Sequence, residues 1–154
     1  VIADSIECLC DLTRGRLLRG RRDAESTAIE DHNRAVLSHL AIATTVAGLR
    51  RKVGTERILA VLEPRSNTMK LGVMKSALPG SLIEADAVFC YGANLGWDAA
   101  EALAPLGAKA VVEDDLDKLV GRIVAEARSG DHVLVMSNGG FGGIHGKILE
   151  RLAP

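Results

Sequence analysis

The chain has 154 residues, enough for one domain with a two- or three-layer core. Its 47% hydrophobic and 25% charged residues form an ordinary globular mixture, and a net charge of -1 leaves no global field to gather nucleic acid or an anionic membrane. Aromatic residues reach only 3%, too few for base-stacking platforms, and no apolar run approaches the ~20 residues of a membrane span.

Acidic residues interrupt the apolar start VIADSIECLC, and no basic region precedes it, so it does not read as a signal peptide. Cys8, Cys10 and Cys90 are an odd set without a second Cys or His pair at ligand spacing. They read as reduced thiols rather than as a disulfide framework or a zinc site. DLTRGRLLRGRRDAEST carries five arginines and follows no clean period, with a strand admissible at residues 26–30. Residues 36–52 are rich in Ala, Leu and Val, and Gly54 closes them: a helix. Residues 57–63 are a short apolar run ended by Pro64, hence a buried strand, and a helix is expected over residues 68–77. The cycle then repeats. Strands are predicted over 86–91, 108–112 and 131–136, and helices over 97–103, from an Asp114 or Asp115 cap to about 128, and over 143–152. Strands apolar on both faces, alternating with helices, predict an α/β fold: a Rossmann-like three-layer domain with a mostly parallel sheet and helices on both sides. Ligands of such sheets sit at the carboxyl ends of the strands.

Two strand-to-helix loops stand out. SNGGFGGIHGK joins the last strand to the last helix. It is not a P-loop, since Phe141 stands where the first glycine belongs and Ile148 replaces the Ser/Thr. It is not a dinucleotide fingerprint either, since His145 takes the third glycine's place. A glycine-rich turn entering a helix nevertheless aims free N–H groups at one spot, and Ser137, Asn138 and His145 add donors. The loop therefore reads either as an anion site or as a tight turn whose glycines serve packing alone. The second loop, EPRSNTMK, offers Arg65 for bidentate grip of a carboxylate, Asn67 as donor and acceptor, and Lys70 as further charge. That set suits a zwitterionic, amino-acid-like ligand; the alternative is a polar loop with a helix cap. The two loops follow the first and fourth regular strands, which are neighbours in the common doubly wound order. Glu113, Asp114, Asp115 and Asp117 read as acids favoured at a helix start, and His132 as structural. No catalytic triad or carboxylate pair is supported by spacing.

ILAVLEPRSNTMKLGVMKSALPGSLIEADAVFCY, AIATTVAGLRRKVG and DHVLVMSNGGFGGIHGKILERLA together resemble the C-terminal domain of the Mur ligase family, over residues 41–154. The resemblance is nearest to the member that joins L-alanyl-γ-D-glutamyl-meso-diaminopimelate to UDP-N-acetylmuramate in murein recycling. It implies a cytoplasmic, ATP- and magnesium-dependent enzyme of three domains, of which this chain supplies the third. The UDP-sugar, ATP and magnesium would be held mainly by the other two. The chain alone is then expected to be inactive, to need no cofactor of its own, and to bind the incoming peptide. By the same resemblance Arg65, Ser66 and Asn67 take the peptide's terminal carboxylate, Lys70 joins them, and Asn138, Gly139, Gly140 and His145 line the same cleft. No nucleic acid, membrane or protein-held metal is implied. The family's D-D-[FY]-A-H-H-P-T segment is not kept in IEDHNRAVLSHL, so residues 1–40 are a divergent segment, through sequence drift or a disturbed reading frame. A free-standing, non-catalytic module for cell-wall peptide or another amino-acid-like anion is the alternative. A Rossmann oxidoreductase is disfavoured by the missing glycine fingerprint.

Overall fold

The computed structural model describes residues 6–8, 26–65, 72, 75–137 and 139–153. Five strands form one sheet: β1 (Ile6–Cys8), β2 (Ile58–Glu63), β3 (Ala87–Tyr91), β4 (Ala110–Glu113) and β5 (His132–Ser137). Their spatial order is β1-β5-β2-β3-β4, and every pairing is parallel. Parallel strands need crossovers, and the first four helices lie in them while the fifth follows the last strand. They are α1 (Ser26–Val53), α2 (Leu78–Ser81), α3 (Ala99–Leu103), α4 (Leu116–Glu126) and α5 (Ile144–Leu152).

Strand side chains alternate between two cores, one on each face of the sheet. Ile58, Ala60, Leu62, Val88, Cys90, Leu134 and Met136 pack with Ile42, Val46 and Leu49 of α1 and with Leu78, Leu82 and Leu103. Leu59, Val61, Phe89, Val133 and Val135 pack with Leu119, Val120 and Ile123 of α4 and with Phe141, Ile144 and Ile148. Burial on both faces is why these strands read as continuous apolar runs rather than as alternating ones.

Helix α1 begins at Ser26, so the strand admitted at residues 26–30 is not formed; the one strand described in the first 40 residues is β1. Between Ser26 and Ala35 there is no Gly or Pro to stop a helix, and the pattern that anchors residues 42–53 propagates backwards through them. Gly54, at φ 64°, ends α1 in the left-handed region while its N–H bonds Arg50 O at 2.9 Å. Strand β4 starts two residues later than its sequence suggests, because a 3₁₀ segment, Ala104–Lys109, with Gly107 at φ 62°, occupies its approach. Asp115 caps α4 through Lys118 N at 2.8 Å; of the two candidate caps it is the one used. Asp98 caps α3 through Ala100 N and Glu101 N, which places the helix start two residues beyond Trp97. The helix expected over residues 68–77 falls mostly outside the described residues.

Candidate functional site

Strands β2 and β5 lie side by side, with Leu62 paired to Met136 and Glu63 paired to Ser137. Each strand thus leaves its apolar core at the same level and turns into its loop from a polar residue. The Ser137 hydroxyl donates to Glu63 Oε2. Gly139 N–H donates in turn to Ser137 Oγ at 3.1 Å. Arg65, two residues past the end of β2, folds back: its Nη1 lies 3.8 Å from Glu63 Oε1. A Cβ on Gly139 would stand 3.0 Å from Arg65 Nη1 and 3.3 Å from Cδ and Cζ, so the guanidinium rests on the bare α-carbon of Gly139. Glu63 is 13% exposed and Arg65 54% exposed. The carboxylate is therefore enclosed, while the guanidinium is more than half exposed to solvent.

The β5 loop enters α5 through three left-handed residues: Phe141 at φ 40°, Gly142 at φ 54° and Gly143 at φ 70°. Phe141, 1% exposed, anchors the turn, with its ring centroid 6.0 Å from that of Tyr91. A Cβ on Gly142 would meet Leu116 Cδ2 at 2.4 Å. So Gly142 serves packing and backbone geometry, whereas Gly139 makes room for the Arg65 side chain. His145 sits in the first turn of α5, half-buried, and burial lowers its pKa below the ordinary 6.5.

Of the residues expected to bind ligand, the structure brings Arg65 and Gly139 into contact, places Gly140 at the exposed start of the turn, and sets His145 on the helix that follows. Ser66, Asn67, Lys70 and Asn138 lie outside the described residues. Glu63 and Ser137 join the two loops, a pairing that local sequence does not announce; its only signal is that each is the polar residue ending an apolar strand.

A second cleft, of about 850 Å³, opens at the carboxyl ends of β3 and β4, lined by Asn94, Trp97, Asp98, Asp114, Asp115 and Lys118. Asp98 and Asp115 are occupied as helix caps. The Trp97 ring lies against Gly72, where a Cβ would be 3.0 Å from Cδ1. Glu113 is held by Arg122 at 3.1 Å and Asp117 by Lys147 at 2.9 Å, while Asp114 is exposed in the cleft. No three His, Cys, Asp or Glu side chains converge on a metal position among the described residues. His132 makes a 2.5 Å contact with Glu56 at the opposite end of the sheet.

The sequence profile of "Mur ligase, glutamate ligase domain" matches residues 38–139, two-thirds of the chain, including the EPRSNTMK loop and the first residues of the loop after β5. The chain belongs to the Mur ligase family. Two curated relatives, both UDP-N-acetylmuramate–L-alanyl-γ-D-glutamyl-meso-2,6-diaminoheptandioate ligases, are 53% identical to it. The protein from Escherichia coli K12 aligns over 115 residues and that from Haemophilus influenzae over 114. In each case 73% of this chain is covered but only 25% of the relative, so the chain spans about a quarter of their length. Among solved structures, a Haemophilus ducreyi domain attributed to the same type of ligase matches 75% of this chain and 84% of its own, at 49% identity and TM-score 0.64. The murein peptide ligase of Psychrobacter arcticus matches 73% of this chain and 25% of its own, at 35% identity and TM-score 0.64. This Mur ligase domain has no helix, among its described residues, long and apolar enough to cross a membrane.

Proposed function

We propose that this chain is the C-terminal domain of an ATP-dependent ligase that joins L-alanyl-γ-D-glutamyl-meso-diaminopimelate to UDP-N-acetylmuramate in the cytoplasm during peptidoglycan recycling. In this reading residues 41–154 form the substrate domain, and residues 1–40 are a divergent segment ahead of it. The observation that carries the reading is the 53% identity to two ligases of that specificity. The geometry of the β2 and β5 loops supports a role for the domain: it binds the incoming peptide. Arg65 offers its planar donors to the carboxylate of the terminal diaminopimelate, backed by Gly139 and the enclosed Glu63. Ser66, Asn67, Lys70, Asn138, Gly140 and His145 complete the proposed cleft.

The chain contains no Gly-Lys-Ser/Thr triplet, and Asp98, Asp115, Glu113 and Asp117 are engaged in caps and ion pairs. These residues do not fit ATP–magnesium, which the remainder of the ligase would hold, and no catalytic step is assigned to them. The domain's part is positioning: orienting the peptide so that its amine meets the activated carboxyl of the sugar when the domains close.

Titration calorimetry of the tripeptide into this chain, with Arg65→Ala beside it, tests the proposal. Binding to the parent that falls at least ~10-fold in the variant is expected from loss of a charge-assisted pair. Equal binding by both would remove Arg65 from the site. Absence of binding to the parent would refute peptide capture by this domain on its own.

A further inference from the structure

Glu63 contacts both loops, and we infer that it is a positioning residue: its carboxylate aims Arg65 at the peptide carboxylate and locks the β5 loop in the matching place. The inference rests on the reading of the β2–β5 cleft as the peptide site. One oxygen, Oε2, accepts from Ser137, whose Oγ accepts from Gly139 N–H at 3.1 Å. The other, Oε1, faces Arg65 Nη1 at 3.8 Å. A single side chain thus sets the backbone of Gly139 and the guanidinium that lies upon it. At 13% exposure Glu63 is set back from solvent, so it acts through these neighbours. An arginine held this way loses less rotamer freedom when a ligand arrives, which is the benefit of preorganisation.

The inference predicts the sign of an effect. A negative charge beside an anion site disfavours the anion, so if Glu63 were only a charge, Glu63→Gln would tighten carboxylate binding. If Glu63 positions Arg65, the same change weakens it. Gln can still accept from Ser137 through its oxygen, but its amide N–H₂ then turns toward Arg65, donor against donor. Ser137→Ala divides the roles the other way: it frees Gly139 N–H and leaves the Glu63–Arg65 pair.

The test uses this chain, with parent, E63Q and S137A compared by tripeptide calorimetry and by NMR of two reporters, the Arg65 Nε–H resonance and the Gly139 amide exchange rate. Expected results are a ~10-fold loss of affinity in E63Q with a mobile Arg65 side chain, and faster Gly139 exchange in S137A with Arg65 still ordered. Unchanged or tighter binding by E63Q overturns the inference while leaving the peptide site standing. If the parent binds no tripeptide, the peptide reading fails, and the two NMR reporters decide separately: an Arg65 released by E63Q sustains the positioning role, and an unchanged Arg65 overturns it.

Discussion

Arg65 lies on Gly139: its guanidinium carbon is 3.3 Å from where a Cβ of that glycine would be. The contact crosses from the loop after β2 to the loop after β5, between residues 74 positions apart in sequence. Only a residue without a side chain permits it. Gly139→Ala is expected to displace the flexible end of Arg65 rather than the backbone. Thermal stability should change by less than about 1 kcal/mol, because a mobile side chain absorbs the clash. Tripeptide affinity should fall by roughly 5- to 20-fold, as in loss of a charged hydrogen bond. Calorimetry beside a melting curve separates the two effects, and an affinity equal to the parent's would show that the contact is incidental.

Gly142→Ala should behave in the opposite way. The added Cβ meets Leu116 Cδ2 at 2.4 Å and sits on a backbone at φ 54°. Overpacking and a left-handed non-glycine residue together should cost roughly 2–4 kcal/mol. Urea unfolding measures this, and a loss below about 1 kcal/mol would mean that the turn readily repacks.

Asp86 ties the start of β2 to α1. Its Oδ2 accepts from Ile58 N at 2.8 Å and from Arg50 Nη2 at 2.5 Å. Burial raises its pKa, but the Ile58 and Arg50 contacts outweigh burial and hold it below 3.8. As the pH falls the unfolded carboxyl protonates first, so the stabilisation is complete above pH 3.8 and is lost as the pH drops through the lower folded value. With its side chain 41% exposed, the screened contribution is about 1 kcal/mol. Asp86→Asn should therefore lower the melting temperature at neutral pH, and the gap to the parent should narrow as the pH falls below 3.8. A gap independent of pH would assign the effect to packing.

The Cys90 thiol lies in the core, and burial, aided by the charge of Asp114, pushes its pKa up to about 12. With Cys8 and Cys10 replaced by serine, a disulfide reagent near neutral pH should label the native chain at least ~1000-fold more slowly than the urea-unfolded chain, following thiolate fraction and access. Comparable rates would mean that this face of the sheet opens readily.

Much of the fold was legible because its signals are local. Four apolar runs read as strands, and β2, β3 and β5 show why: burial on both faces leaves no polar alternation, while Gly54 and Asp115 mark helix ends by the bonds that they make or permit. The start of α1 was not legible. Residues 26–35 contain neither a stop signal nor a clear period, so the helix there is an extension of the part anchored by Ile42, Val46 and Leu49. Within the candidate site, Arg65 and Gly139 stood out by residue type and by their place after strands.

Sequence by itself determined the alternation of strand and helix, the family, and the two loops worth watching. Tertiary structure decided what those loops are to each other. The parallel register that sets Glu63 beside Ser137 is a long-range choice, made by the packing of two cores on opposite faces of the sheet. That register gives two polar strand ends a shared hydrogen bond, brings Arg65 onto Gly139, and separates a glycine that makes room for Arg65 from one that makes room for Leu116. Composition and spacing carry no record of such contacts, because each depends on where two distant strands stop relative to one another.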